Sequence, residues 1–271
     1  MTATVPFATS TSPRVANFWD TLSSEWSKLI SLRFTQISLG LGLGVSLATA
    51  AIASVALGST ETQWPEQFHP ATFSMIGNIF SLIIYSVFGV MVMAGEYSSG
   101  MIRLTLTATP RRGRVFLAKL MLVTLIVLVF GLITTVGMFL VTQAVLEAYG
   151  MPLAGIGDAD TRGLVLGLGA SMPLFPIIGL ALAAILRNTA GAITTVLALL
   201  WLPQIFGEVL PMWWRENIVS LLPQSGMDSL TIGHIESSPT FSEPIIAVTI
   251  VAVWLVAIVG AGYVRFVRSD A

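Results

Sequence analysis

Charged residues and histidines are missing from six long stretches of this 271-residue chain. A charged side chain at the centre of a bilayer costs about 2.5–3.5 kcal/mol on the insertion scale, which explains such exclusion. About 20 helical residues, rising 1.5 Å each, cross a hydrocarbon core of about 30 Å. Every stretch reaches that length, so the pattern predicts six transmembrane helices within the stretches 34–60, 70–95, 120–146, 163–186, 188–207 and 244–264.

Composition excludes several other classes of protein. Only 10% of the residues are charged, against about 25% in a typical soluble domain. If the six helices formed the core of a soluble protein, almost no residues would remain to cover them. A net charge of −1 and only two lysines argue against a nucleic-acid binder. The lack of cysteine excludes disulfides, thiolate metal sites and cysteine nucleophiles. His69 and His234 stand alone, so we expect no metal site.

The basic residues predict the orientation of the helices. With both chain ends on one side, that side holds nearly all arginines and lysines, and the other side holds only Arg162 and Arg215. Because basic residues concentrate on the cytoplasmic side, we expect both ends in the cytoplasm. The fold class is therefore an all-α integral membrane protein in a single domain, with predicted helices at 37–58, 72–94, 120–143, 163–186, 189–207 and 244–264.

Residues 13–33 are typical of an amphipathic helix on the inner leaflet. Ser12 is a candidate N-cap and Pro13 suits the first helical position. Apolar residues recur every three to four positions and include Trp19 and Trp26, which favour the headgroup boundary. The pattern assigns Glu25 and Lys28 to the polar face. A simple anchor and a role in transmitting motion both remain open.

The segment 96–114 joins the second and third predicted spans on the basic side. Met101, Leu104 and Ala108 share one face of a short helix, and Pro110 prevents its continuation. An ordinary cytoplasmic loop would carry the arginines, because basic residues concentrate on that side, but it would not need an apolar stripe. The segment therefore predicts a docking helix for a cytosolic partner.

This segment resembles a known family. Glu-Tyr-x-x-Gly-x-Ile-Arg-x-Thr-Leu-x-Ala-Thr-Pro-Arg-Arg-x-Arg, at 96–114, is similar to the cytoplasmic loop of type-2 ABC transporter permeases of the bacterial drug and antibiotic export class. Ser-Glu-Trp-x-Lys-Leu, at 24–29, resembles the interfacial helix of the same family. The resemblance implies that the loop is the coupling helix, and it assigns ATPase coupling to Glu96, Tyr97, Met101, Arg103, Leu104, Ala108, Thr109, Arg111, Arg112 and Arg114.

The resemblance also implies the partners. A permease of this family pairs with a second six-helix permease, identical or a sister chain, and docks two ATP-binding-cassette subunits. The chain contains no Gly-x-x-x-x-Gly-Lys-Ser/Thr and cannot cradle nucleotide phosphates by that motif. We therefore expect a non-catalytic subunit without a bound cofactor, with ATP and Mg on the partner ATPase.

Polar residues inside the spans are candidates for a substrate path. Asn78, Ser81 and Tyr85 share one helical face, and the family resemblance implies that the second and fifth helices line the path. Hydrogen bonding between helices is the alternative use of the same side chains. The full path prediction comprises Asn78, Ser81, Tyr85, Thr194, Thr195 and Gln204.

Two further regions carry structural expectations. Pro173 and Pro176 predict a kink or break in the fourth span. Residues 208–243 are too polar to cross, and the family places short external or re-entrant helices there as an outer lid. The predicted lid residues are Trp213, Trp214, Ile218, Leu221 and Leu222.

These features favour a permease of an ATP-driven exporter in a bacterial plasma membrane. Charge-free spans predict an amphiphilic, lipid-like or drug-like substrate, because a charged solute finds no partner there. A regulatory or sensory membrane subunit remains an alternative. An ion-coupled secondary transporter fits less well, because such proteins use carboxylates or histidines inside the membrane.

Overall fold

Helices make up every regular element that the structure, a computed structural model, describes. The described residues are 17–60, 68–102, 111–207, 209–231 and 240–268. A 3₁₀ turn spans Val219–Leu221. The α-helices are α1 (Phe18–Ser31), α2 (Arg33–Gly58), α3 (Pro70–Phe73), α4 (Asn78–Ser98), α5 (Arg112–Ala148), α6 (Ala159–Ser171), α7 (Leu174–Leu186), α8 (Thr189–Gly207), α9 (Met212–Asn217), α10 (Pro223–Thr231) and α11 (Pro244–Arg268).

Five segments of the described chain are long and apolar enough to span a membrane. They are α2, α4, α5, α11 and the combined α6–α7 segment Ala159–Leu186. The predicted fifth span is helical, but its apolar part, Thr189–Leu202, is short. At 1.5 Å per residue it covers about 21 Å of a hydrocarbon core of about 30 Å. Six crossings therefore stay a prediction, and a multi-pass membrane protein is what the helices indicate.

Helix α5 is much longer than the span predicted within it. Its 37 residues extend over about 55 Å, and it begins at Arg112 rather than at residue 120. The end of the predicted loop 96–114 is thus helical, with Arg111 as the N-cap of α5. The prediction began the span at residue 120 because charged Arg112 and Arg114 are excluded from the hydrocarbon. Charge does not prevent a helix from forming outside the hydrocarbon, so α5 begins at Arg112.

The predicted break in the fourth span is confirmed. Helix α6 ends at Ser171 and α7 begins at Leu174, with Pro173 as its N-cap. Pro176 lies in the first turn of α7, where a missing N–H leaves no hydrogen bond unmade. Helix α7 is almost wholly buried against α4, α8 and α11. Gly89 of α4 lies directly against the Pro176 carbonyl, so the two helices approach closely.

The start of the amphipathic helix differs from the prediction. Helix α1 begins at Phe18, and the predicted cap residues Ser12 and Pro13 lie outside the described residues. Asn17 is the cap: its Oδ1 accepts from the Asp20 N–H at 2.9 Å, and the Asp20 carboxylate accepts from the Asn17 N–H at 2.8 Å. This reciprocal capping box satisfies two backbone donors. The Asn-x-x-Asp pattern was visible in the sequence.

Among the described residues, Lys28, Lys119 and Arg187, which the charge rule places on one side, lie at the same end of the bundle. We call it the basic end; it carries the C-termini of α1, α4, α7 and α11 and the N-terminus of α5. Phe116 of α5 packs against Tyr263 and Phe266 of α11 there, with ring centroids 5.8 Å apart in both pairs. The opposite end holds the C-terminus of α5, α9 and α10. Helix α10 packs inward against α6, α8 and α11.

Candidate coupling site at the basic end of the helix bundle

Four charged side chains meet at the basic end, and we call them the ion cluster: Glu25, Lys28, Glu96 and Lys119. Lys119 Nζ donates to Glu25 Oε2 at 2.6 Å and to Glu96 Oε1 at 2.7 Å. Lys28 Nζ lies 2.6 Å from Glu25 Oε1 and 3.4 Å from Glu96 Oε1. The cluster joins α1, α4 and α5 and contains both lysines of the chain.

The ion cluster is largely removed from solvent. Glu25 and Lys119 are each 2% exposed and Glu96 is 9% exposed. A charge buried in this way needs partners, because transferring an unpaired ion from water into protein costs several kcal/mol. Removing one partner of a buried pair costs about 3–5 kcal/mol. The cluster therefore fixes α1 to the two helices that flank segment 99–111.

The inward position of Glu25 corrects the polar-face prediction for the amphipathic helix. Thr21, Glu25 and Leu29, spaced four apart, form the buried face of α1. Trp19 and Trp26 are 67% and 45% exposed and point away from the bundle. Periodicity separated apolar from polar positions, but it did not reveal that a lysine on another helix, Lys119, would pair with Glu25 inside the bundle. The exposed tryptophans agree with a helix at the headgroup boundary.

Electrostatics hold both partners of the α1 pair in their charged forms. Burial alone would raise the pKa of Glu25, but the Lys119 ammonium, assisted by Lys28, lowers the pKa of this carboxyl below its usual value. Burial alone would lower the pKa of Lys28, whereas the carboxylates of Glu25 and Glu96 raise that pKa above its usual value. Glu25 and Lys28 therefore stay ionised through the neutral range.

A second contact at the basic end joins α4 to the end of α7. The Arg187 guanidinium lies over the Tyr97 ring, 5.5 Å from its centroid, in cation–π geometry. Arg187 caps α7 in the left-handed conformation, with φ 52°. It thus reaches the residue next to Glu96. Four helices converge within this small region.

Segment 96–114 is only partly within the described residues. Glu96 belongs to the ion cluster. Gly100 follows the C-cap of α4 with φ 71°, a backbone conformation that favours glycine because a side chain would be strained there. Met101 and Ile102 are helical; Met101 is 46% exposed, whereas Ile102 is 6% exposed. Arg111 precedes α5, and Arg112 and Arg114 lie in it. The predicted coupling residues Arg103, Leu104, Ala108 and Thr109 lie outside the described residues.

A comparison with protein-family models decides the family. Residues 21–204, about two thirds of the chain, match the model described as ABC-2 family transporter protein. The chain belongs to this family. It is thus the type-2 permease component of an ABC transporter, as the loop motif predicted. The whole ion cluster lies within the match, whereas residues 205–271 lie outside it. No curated protein matches the chain.

Three members of the ion cluster were missed as site residues of this permease. The loop motif predicted a coupling role for Glu96, but no motif gave Glu25, Lys28 and Lys119 a shared role. A signal existed in the only two lysines of the chain. Lys28 lies three residues after Glu25, and Lys119 lies across the predicted loop from Glu96. Their convergence required the tertiary structure.

The path residues predicted in the second span all lie on α4. Asn78 is the first residue of α4 and Ser81 donates to its carbonyl at 2.8 Å. Tyr85 is fully buried, and its hydroxyl lies 2.8 Å from Thr134 Oγ1 of α5. Thr134 donates its own proton to the Phe130 carbonyl, so Tyr85 is the donor. Within one chain, Tyr85 makes the interhelical hydrogen bond that was the alternative, and its role in a path stays a prediction.

The other predicted path residues lie on α8. Thr194 is exposed on the surface of the single chain, and Thr195 donates to the Gly191 carbonyl at 2.8 Å. The side chain of Gln204 lies outside the described residues. Their contact with substrate stays a prediction.

The predicted lid residues surround a short connection at the opposite end. Trp213 and Trp214 pack edge to face in α9 and are 60% and 46% exposed. Ile218 and Leu221 are also exposed, and Leu222 is partly buried. Trp254 of α11 donates to the Leu221 carbonyl at 2.8 Å, which ties this connection to the bundle.

Proposed function

We propose that this permease exports an amphiphilic, lipid-like or drug-like substrate across a bacterial plasma membrane. The energy comes from ATP hydrolysed on two ATP-binding-cassette subunits, which dock against segment 96–114 at the basic end. A second six-helix permease, identical or a sister chain, completes the membrane part. The observation that supports this assignment is the ion cluster, because it joins the helices on both sides of the docking segment to α1.

The proposed mechanism depends on the ion cluster, which holds α1, α4 and α5 together. Binding of ATP favours the closed ATPase dimer, and this differential affinity supplies the bias between two permease states. Closure displaces the docking segment along the membrane plane. Glu96 is the first residue of this segment and Lys119 lies just after it, so their bond makes α4 and α5 move together rather than separate. Glu25 carries the same displacement into α1, at the membrane surface.

Docking is tested by removing apolar contact from the segment. The double variant Met101→Ala/Leu104→Ala should keep its folded yield but lose most substrate-stimulated ATPase activity and transport in liposomes with the partner ATPase. The matched control is Val209→Ala/Met212→Ala, which removes apolar side chains that are 81% and 56% exposed at the opposite end. Unchanged coupling in the first variant, or equal losses in both, would refute docking at this segment.

Orientation is tested with two cysteines in the cysteine-free chain. Ser99 and Ser59 are both exposed C-cap residues, of α4 and α2 respectively. In intact cells, Ser99→Cys should resist an impermeant maleimide and Ser59→Cys should react. Permeabilised cells supply the control, since both should then react. The reverse pattern would place the basic end outside.

A further inference from the structure

A cavity of 570 Å³ opens at the end of the bundle opposite the ion cluster. It lies between α3, the first turns of α4, the outer part of α6 and α10. Most of its wall is apolar and includes Phe73, Ile79, Leu164 and Leu168. Volumes of a few hundred Å³ with mainly apolar walls are typical of sites for small molecules.

Five polar side chains line this cavity: His69, Thr72, Asn78, Gln224 and Asp228. The last three present oxygen acceptors. Gln224 of α10 is 3% exposed, and its Nε2 donates to Asp228 Oδ1 at 2.8 Å. That bond fixes the amide, so Gln224 Oε1 is the free atom, and it has no hydrogen-bond donor among the described residues. Asn78 Oδ1 is also buried without a donor among them. A buried acceptor left without a partner costs about 1–3 kcal/mol.

Asp228 differs from every member of the ion cluster. Its carboxylate accepts a hydrogen bond from the Gln224 amide, which is neutral. Burial raises the pKa of Asp228 to about 6, only partly offset by that hydrogen bond. The carboxylate is therefore still charged at pH 7.5. The described part of the wall contains no lysine or arginine, and its other ionisable side chain is His69.

This combination selects the chemistry of a ligand. A carboxylate and two amide oxygens require N–H donors and a positive charge, while the remaining wall requires an apolar body. An anionic amphiphile would be repelled by Asp228, and a neutral alcohol would offer one donor for three acceptors. A primary ammonium group has three donors and one charge.

We infer that this cavity binds a primary ammonium group carried on an apolar chain. As the outer holding site of the exported substrate it rests on the proposed function, but binding itself does not. The sequence expectation that a charged solute finds no partner concerned the charge-free spans, and Asp228 lies outside them. Cationic amphiphiles thus become the substrate class to examine first.

Binding is tested on the full chain in phosphatidylcholine nanodiscs at pH 7.5, without ATPase. Octylammonium, octanol and octanoate are titrated by calorimetry, and the saturable one-to-one component is compared with empty nanodiscs. We expect octylammonium to bind at least tenfold more tightly than octanol, and octanoate to show no saturable binding. Asp228→Asn should remove the preference for the amine, and Asp160→Asn, an exposed acid on α6, should keep it.

A second variant guards against a folding defect. Leu168→Trp fills the cavity and should weaken binding of both octylammonium and octanol, with an unchanged elution volume on gel filtration. Equal binding of octylammonium to the chain, to Asp228→Asn and to empty nanodiscs would overturn the inference. If the chain binds octylammonium but liposomes with the partner ATPase show no export, the result would count against the proposed function and not against the binding site.

Discussion

At the basic end, Glu25 and Glu96 share two lysines, whereas at the opposite end Asp228 meets only the amide of Gln224 among the described residues. Glu25 and Glu96 are buried, and Asp228 is partly buried, so both arrangements withdraw carboxylates from water. The first compensates the loss of hydration with paired ammonium groups, and the second does not. Partnered burial produces a fixed joint between helices, while unpartnered burial leaves a site whose missing charge can be supplied by a ligand.

The two regions also respond differently to pH. The pKa of Glu25 is lowered, so its contribution to stability is present above about pH 4.3 and is lost as the pH falls further. The pKa of Lys28 is raised, so its contribution is lost only above about pH 10.4. Asp228 has a raised pKa of about 6, so its destabilisation is fully present above pH 6 and disappears as the pH falls to about 4.

The largest effect is expected from removal of the shared cation of the ion cluster. Lys119→Met leaves two buried carboxylates with only Lys28, and should lower the free energy of unfolding by about 3–5 kcal/mol. Thermal unfolding in detergent, followed by circular dichroism, measures the change. Lys28→Met is the matched control: the Lys28 side chain is 30% exposed, and the loss should be about 1 kcal/mol.

A double variant makes this prediction sharper. Adding Glu25→Gln to Lys119→Met removes one of the stranded charges and should recover part of the lost stability. If the two lysine variants unfold at the same temperature, the cluster is not a buried joint and the contrast between the two ends fails.

The next effect has the opposite sign. Asp228→Asn removes an unpartnered charge and preserves the hydrogen bond from Gln224, so it should stabilise the chain by about 1–3 kcal/mol at pH 7.5. The gain should shrink toward zero near pH 4, where the wild-type carboxyl is protonated in both states. Melting curves between pH 4 and 8 measure it, with Asp160→Asn as control. A destabilised Asp228→Asn at pH 7.5 would mean that an undescribed cation pairs with Asp228.

Exclusion of charge from a membrane is a property of composition, and the sequence therefore predicted most spans and the break at Pro173. It could not predict that Glu25 points inward, because helical periodicity separates polar from apolar positions without identifying the neighbouring helix. Helix α10 was missed as a buried element for a related reason. Its Ser225, Gly226 and Ser229 resemble external residues, yet their small size permits close packing against α11.

Tyr85 lies on α4 between the two ends, and the smallest predicted effect concerns it. Tyr85→Phe removes only the hydroxyl bonded to Thr134, and an interhelical hydrogen bond in a membrane contributes about 0.6–2 kcal/mol. We expect a loss of that size in thermal unfolding and an unchanged substrate range. Ser81→Ala is the control, since Ser81 bonds within its own helix and its removal should cost less.

Transport measurements on the same two variants decide between the two uses of this face. If Tyr85→Phe alters which amphiphiles are exported while its unfolding temperature is unchanged, the hydroxyl contacts substrate and the path prediction is correct. A stability loss without a change in transport would mean that the middle of α4, like its basic end, connects helices. The ligand-facing polar groups of this helix would then be confined to its opposite end, beside Asn78 and the cavity.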